Sequence, residues 1–313
     1  MAEPITSSPR SASAPATIAV AGATGDLGFR IAKELLQRGA TVRALVRPDS
    51  SSKPEIISLR QQGATITEVN FDSIISLTAA CTGADCVVSA LSGLREVIVG
   101  AQTRLVKAAV AAGVPRFIPS DFSIDFTKLP NGTNRNLDLR REFQERLDQQ
   151  PIQATSILNG MFMDLLTGQA PLVLFGPKRI LYWGDADQPL DFTTIADTAA
   201  FTAAAALDPT TPRYLRVAGE VASIRGVQAA ASAATGEQFG LLRAGGLGLL
   251  AAMIKVTRTL VPARNEVFPP WQGMQYMHNM FTGRPKLEPL DNDRYPEIRW
   301  TPIREVLAKR EQK

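Results

Sequence analysis

Ile18-Ala19-Val20-Ala21-Gly22-Ala23-Thr24-Gly25-Asp26-Leu27-Gly28 decides the fold. A short apolar strand runs into glycines at 22, 25 and 28 and then into a helix-forming run. A tight turn after the strand needs a residue without Cβ, a second glycine lets backbone approach a pyrophosphate, and a third lets the helix pack on the sheet. Leu27, Ile31 and Leu35 recur every four residues, so this helix docks by one face with its N-terminal N–H groups aimed at a ligand. The corner predicts a dinucleotide site. Glycine-rich turns join many strands and helices, so the surrounding pattern carries the rest.

A second strand spans 41–46 and ends at Arg47, nineteen residues beyond Gly28. In dinucleotide folds this strand tip meets the adenosine ribose, where a carboxylate selects NAD and an arginine accommodates the 2′-phosphate of NADP. Arg47 therefore points to NADP(H), although Asp49 lies close by. Further strands are predicted at 64–69, 86–91, 116–120 and 154–158, separated by helices at 73–81, 97–112 and 134–149. Alternation of this kind specifies an α/β fold, a Rossmann doubly wound parallel sheet. Ligands bind such sheets beyond the carboxyl ends of the strands. Those ends read Asn70-Phe71-Asp72, Ala90-Leu91-Ser92-Gly93, Pro119-Ser120-Asp121-Phe122 and Asn159-Gly160-Met161-Phe162. Phe71, Asp72, Ala90, Leu91, Ser92, Pro119, Ser120, Asp121, Phe122, Asn159, Gly160 and Phe162 join Gly22, Thr24, Gly25, Asp26, Leu27, Gly28 and Arg47 as the expected cofactor residues. For the Asp121 side chain, capping of the following turn is the preferred role.

Beyond residue 160 the alternation weakens into strands at 180–183, 192–195 and 214–217 and helices at 196–207 and 223–235. The expected organisation is a flexible leader, 1–16, an NADP(H)-binding Rossmann domain, 17–160, and a smaller, irregular substrate region, 161–313, parts of which return to the sheet. Phe268-Pro269-Pro270-Trp271, residues 276–281 and Tyr295 are candidates for an apolar pocket wall under long loops. The run 245–254 is bracketed by Arg243 and Lys255, too short for the about 20 residues of a membrane span, and reads as a buried or lid helix.

With 45% hydrophobic and 20% charged residues among 313, the chain is an ordinary globular protein with room for a large core. Its formal charge of +4 is dispersed rather than striped, and Arg140-Arg141 fit a salt-bridged helix surface, which argues against nucleic acid. Two cysteines, Cys81 and Cys86, and one histidine, His278, supply neither a disulfide framework nor a zinc site. The leader lacks the apolar core of a secretion signal, so a cytoplasmic location follows as the expectation. No G-x-S-x-G elbow or G-x-x-x-x-G-K-[ST] loop occurs, which removes hydrolase and P-loop chemistry.

The first glycine loop, Arg47, Arg116-Phe117-Ile118-Pro119-Ser120-Asp121-Phe122, Asn159-Gly160-Met161-Phe162 and Asp291-Asn292-Asp293-Arg294-Tyr295-Pro296 resemble the NmrA-like and isoflavone reductase-like proteins, which are atypical short-chain dehydrogenases. The resemblance spans nearly the whole chain after the leader. It implies an NADP(H)-binding Rossmann domain and, for many members, reduction of an aromatic or phenolic substrate by hydride transfer. Reductases of this family carry a lysine ahead of a paired arginine on the helix after the fifth strand, and that lysine assists proton transfer. Counting back from Arg140-Arg141, this chain has Asn136 there, and an amide orients a carbonyl without delivering a proton. No tyrosine has a lysine four residues on. Lys128, on the loop before that helix, and His278 are the remaining candidates for proton transfer; Asp185 and Asp187 read as a turn.

Two functions follow. One is an NADPH-dependent oxidoreductase passing hydride to a hydrophobic aromatic, quinone or carbonyl substrate. The other is a non-catalytic NADP(H)-binding redox sensor that regulates a protein partner, which Asn136 favours. Neither needs a membrane, and the chain is expected as a monomer or homodimer.

Overall fold

The computed structural model describes residues 14–310; most of the expected leader lies outside them. Six strands, β1 (Thr17–Ala21), β2 (Thr41–Val46), β3 (Thr65–Glu68), β4 (Cys86–Ser89), β5 (Arg116–Ile118) and β6 (Gln153–Ala154), form an all-parallel sheet in the order β3-β2-β1-β4-β5-β6. β1 lies at its centre, Thr17 opposite Thr41 and Ile18 opposite Cys86. A central parallel strand is covered on both faces, which is why β1 is apolar at every position after Thr17.

Its alternation divides the core. Ile18 and Val20 face α1 (Asp26–Gln37), α2 (Pro54–Gln61) and α6 (Ile195–Leu207), packing with Ile31, Leu35, Ile56 and Phe201. Ala19 and Ala21 face α3 (Ile74–Cys81), α4 (Gln102–Ala111) and α5 (Arg135–Leu147), packing with Leu77, Leu105 and Phe143. The sheet is thus doubly wound. Cys81 and Cys86 are buried free thiols, and burial pushes them up to about 11 and about 12, so both remain protonated at neutral pH.

Several elements depart from the sequence expectation. The fourth and fifth strands stop at Ser89 and Ile118, short of the predicted 91 and 120. The expected strand 154–158 breaks at Thr155, where the chain changes partner: β6 pairs with β5, whereas β7 (Ser156–Leu158) pairs with β12 (Tyr214–Arg216). The helix expected at 97–112 opens as a π-helix, Glu96–Ala101, before becoming α4; such wide turns cluster near functional sites. The strand expected at 192–195 is β11 (Leu190–Thr193), and Thr194 instead caps α6 through Asp197 N–H.

The remaining elements are β8 (Met161–Phe162), β9 (Val173–Leu174), β10 (Arg179–Trp183), β13 (Glu220–Ala222), β14 (Gly240–Gly245), α7 (Ile224–Thr235), α8 (Leu247–Leu260), α9 (Pro270–Phe281) and α10 (Ile303–Ala308). They form two three-stranded sheets, β14-β10-β9 and β13-β11-β8. A further core joins Met163, Phe192, Ile224, Met277 and Phe281 to Ile124, Phe126 and Leu137 from before residue 160. The residues expected as pocket walls under loops lie largely on α9, where Trp271 is buried, while Phe268 ahead of it is 63% exposed. α8 is not a buried helix: Leu250 alone is fully covered, and Leu249, Val256 and Leu260 face solvent. No helix among the described residues is long and apolar enough to cross a membrane.

Arg116 ties the halves together. Buried at the start of β5, it donates to the carbonyls of Ala205 and Ala206 at the end of α6 and to Thr211. Replacing it with alanine strands two helix-terminal carbonyls in the interior and is expected to cost about 2–4 kcal/mol in urea unfolding.

Candidate functional site

The β1–α1 corner is compressed to backbone contact. Gly22 has φ +89°, and a Cβ there would come within 2.6 Å of the Ala90 carbonyl oxygen; a Cβ on Gly28 would come within 2.2 Å of the Gly22 oxygen. Both glycines are required by the protein itself. Gly25 differs: a Cβ would meet only the Gly22 oxygen, at an ordinary 3.5 Å, and its φ of −91° suits any residue. Gly25 is exposed and caps α1 without a side-chain acceptor, which leaves the first N–H groups of that helix without a side-chain cap. Within the protein nothing fills the space its missing side chain leaves, and a pyrophosphate lying on a helix N-terminus needs such space.

Around this corner the strand ends are tied together. Ala90 N–H donates to Ala21, and Ser120 donates from Oγ to the Leu91 carbonyl and from N–H to the buried Gln102 side chain. Arg104 holds the third tip through the Phe71 carbonyl and the Asp72 carboxylate. Asn159 and Gly160 both donate their N–H groups to Ser123, and Asn159 is fully buried with neither side-chain amide atom partnered among the described residues. Gly160, at φ +70°, has no room for a Cβ against Asp191. Ser92 is exposed, Thr24, Leu27 and Phe162 half-buried, Pro119 and Phe122 buried. Arg47 projects from the end of β2 with its side chain 66% exposed, and its nearest carboxylate is Asp49 at 3.7 Å. Asp26 forms an exposed ion pair with Arg30 on α1.

Asp121 does not cap the turn after β5. Its carboxylate is fully buried and accepts from Gln144 and Ser156 through one oxygen, leaving the other unpartnered. Burial raises its pKa against the opposing hydrogen bonds and the charges of Arg140 and Arg213.

Asn136, Lys128 and His278 stand apart, with no hydrogen bond joining any two of them among the described residues. Asn136 is 2% exposed; its Nδ2 donates to the Val267 carbonyl and its Oδ1 accepts from Arg135. Lys128 is held by the Lys286 carbonyl at 2.7 Å, near buried Asp125, which Arg216 also binds. His278 is half-buried on α9, and burial lowers its pKa, favouring the neutral ring. Asp185 accepts from Asp187 N–H, a turn as expected. Of the paired arginines, Arg141 binds Asp138, whereas Arg140 has no carboxylate partner among the described residues. Gln102, Gln144, Ser156 and the Lys286–Asp191 pair had not been expected at the site; Gln102 alone signals itself, as an amide in an apolar helical run.

The NmrA-like family model matches residues 15–258. Pinoresinol reductase 1 of Arabidopsis thaliana is 32% identical over 208 residues, 62% of this chain and 65% of that protein, so the match spans just under two thirds of the relative. A bifunctional pinoresinol-lariciresinol reductase of Linum corymbulosum is 26% identical over 93% of this chain and 96% of its own. Among solved structures, "AtPrR2 with NADP+ and (+)pinoresinol" superposes with a TM-score of 0.78 at 23% identity, covering 94% of this chain and 98% of that one. The leucoanthocyanidin reductase–NADPH complex from Vitis vinifera gives 0.77 at 19%, covering 93% and 98%. At these identities the structures speak for the fold.

Because a buried charged carboxylate with a raised pKa opposes folding once ionised, Asp121 contributes stability below its unfolded pKa that is lost as pH rises through the folded value. Asp121→Asn keeps an acceptor for Gln144 and Ser156 without the charge. Its melting temperature is expected to equal or exceed wild type at pH 7, with the difference shrinking towards pH 4.

Proposed function

Since the chain belongs to the NmrA-like family, we propose that it is an NADPH-dependent reductase that passes hydride to a hydrophobic aromatic, quinone or carbonyl compound. Gly25 carries the reading: it is the one glycine of the corner that the fold does not demand, and a pyrophosphate would use the space it leaves. In this reading residues 17–160 hold the cofactor and 161–313 supply most of the substrate surface. Gly22, Gly25, Gly28 and the N–H groups of residues 26–28 take the pyrophosphate. Arg47, exposed and only loosely paired, takes the 2′-phosphate. Phe71 and Asp72 flank the adenine end; Ala90 to Ser92, Ser120, Asn159, Gly160 and Phe162 flank the nicotinamide end. The cofactor, when bound, supplies a hydride from C4 of its nicotinamide.

The protein's part is to orient the acceptor and exclude water. Asn136 serves as an orienting amide, and Lys128 and His278 remain the side chains able to deliver a proton. The relatives named as reductases support turnover. Binding without turnover, as a sensor, is favoured only by the amide at Asn136.

The test is a titration with NADPH and NADH, followed by absorbance measurements of NADPH consumption with quinones and aromatic aldehydes. NADPH is expected to bind more tightly and be consumed; binding without consumption across the panel would support the sensor instead. Arg47→Ala should weaken NADPH about tenfold or more while leaving NADH affinity nearly unchanged. Equal losses for both cofactors would remove Arg47 from the 2′-phosphate site.

A further inference from the structure

A group of cations beside the start of α5 has no salt-bridge partner among the described residues. Arg135, the first residue of α5, and Arg258, on α8, both stack on Trp271, with guanidinium carbons 4.7 Å and 5.2 Å from the ring centre. Trp271 is 2% exposed and fixed by a hydrogen bond from Nε1 to the Pro262 carbonyl. Arg140, one turn further along α5, donates to the Asn136 carbonyl, and its buried Nε has no partner among the described residues. Burial raises the pKa of Tyr276 on α9, and the charges of Arg140 and Arg135 on α5 oppose that rise.

Every hydrogen-bond acceptor found for these arginines is neutral: the Glu266, Val267 and Asn136 carbonyls and the Asn136 amide. No ion pair reaches Arg135, Arg140 or Arg258 among the described residues, although Arg141 and Arg146 on the same helix are both paired. Buried Asp121 feels the charge of Arg140 without a salt bridge, and its carboxylate accepts from Gln144 and Ser156. Along the chain, residues 238–265 contain Arg243, Lys255, Arg258 and Arg264 and no aspartate or glutamate.

Stacking on indole returns little for an exposed cation, while like charges sharing one ring repel. Partial burial and the charge of Arg258 together pull the pKa of Arg135 down. An arginine keeps its proton under this load. Arg258 is exposed and Arg135 only half-buried, so an anion from outside can reach both. Phe268, directly after the Val267 carbonyl that binds Arg135, is 63% exposed, and Val261 is 49% exposed, so the cations border open apolar surface.

We propose that Arg135 and Arg258, with Arg140 behind them, form an anion subsite over Trp271, and that the molecule it takes is an aromatic compound bearing a carboxylate. As the substrate class of the reductase this rests on the preceding reading; as a binding site it stands on the cation cluster. A carboxylate offers two oxygens to guanidinium forks, and its ring rests against the apolar side of the cluster.

The experiment is calorimetric titration of the full chain, first with NADPH, then, with and without saturating NADPH, with cinnamate and with its uncharged methyl ester. Cinnamate is expected to bind about tenfold or more tightly than the ester, with a preference that falls as salt is raised. Arg258→Gln should abolish that preference, and Arg258→Lys should retain part of it. Equal binding of acid and ester, binding of neither, or a preference surviving in Arg258→Gln would overturn the subsite. Absence of NADPH binding would instead strike the reductase reading, and the acid-over-ester comparison in cofactor-free protein would still decide the subsite.

Discussion

At the corner between β1 and α1 the backbone at residue 28 presses on the Gly22 carbonyl, and Gly22 in turn presses on Ala90 at the end of β4. These contacts set how closely the first helix seats on the sheet, and therefore where its N-terminal N–H groups point. They also fix the tip of β4 against β1, from which Ser120 and Gln102 carry the constraint to β5. Side chains at 22 or 28 would push the helix away and open the sheet's carboxyl edge. The geometry of this edge is thus a consequence of backbone packing, with polar side chains added around it.

The chemistry beyond that edge is unevenly distributed. Proton-transferring side chains are scarce: Asn136 is an amide bound to a loop carbonyl, and burial favours the neutral form of His278. Cations that never release a proton are abundant, gathered around Trp271. On the proposed reading, these side chains hold and orient a charged substrate, and no dedicated lysine protonates it. Under this account the proton comes from a weakly held group or from solvent.

Much of the sheet was legible because its signals are local. β1 is an apolar run with glycines at fixed offsets, and α1 shows its buried face every three or four residues. The break at Thr155 was not legible, because it is imposed by β12 some sixty residues later taking over the pairing. The π-helical opening before α4 leaves the apolar periodicity almost unchanged and so escaped as well. At the site, Asp121 looked like a turn cap because Gln144 and Ser156, which draw it inward, are distant in sequence. Arg135, Arg258 and Trp271 each look like ordinary surface or core residues until the packing of α8 on α9 and the start of α5 brings them together.

The central claim is that the space at Gly25 belongs to a dinucleotide. Gly25→Ala tests it most directly, because the added methyl makes only ordinary contact within the protein. The account predicts a melting temperature close to wild type without cofactor and a fall in NADPH affinity of about tenfold or more. An unchanged NADPH affinity in a fully folded variant would contradict it.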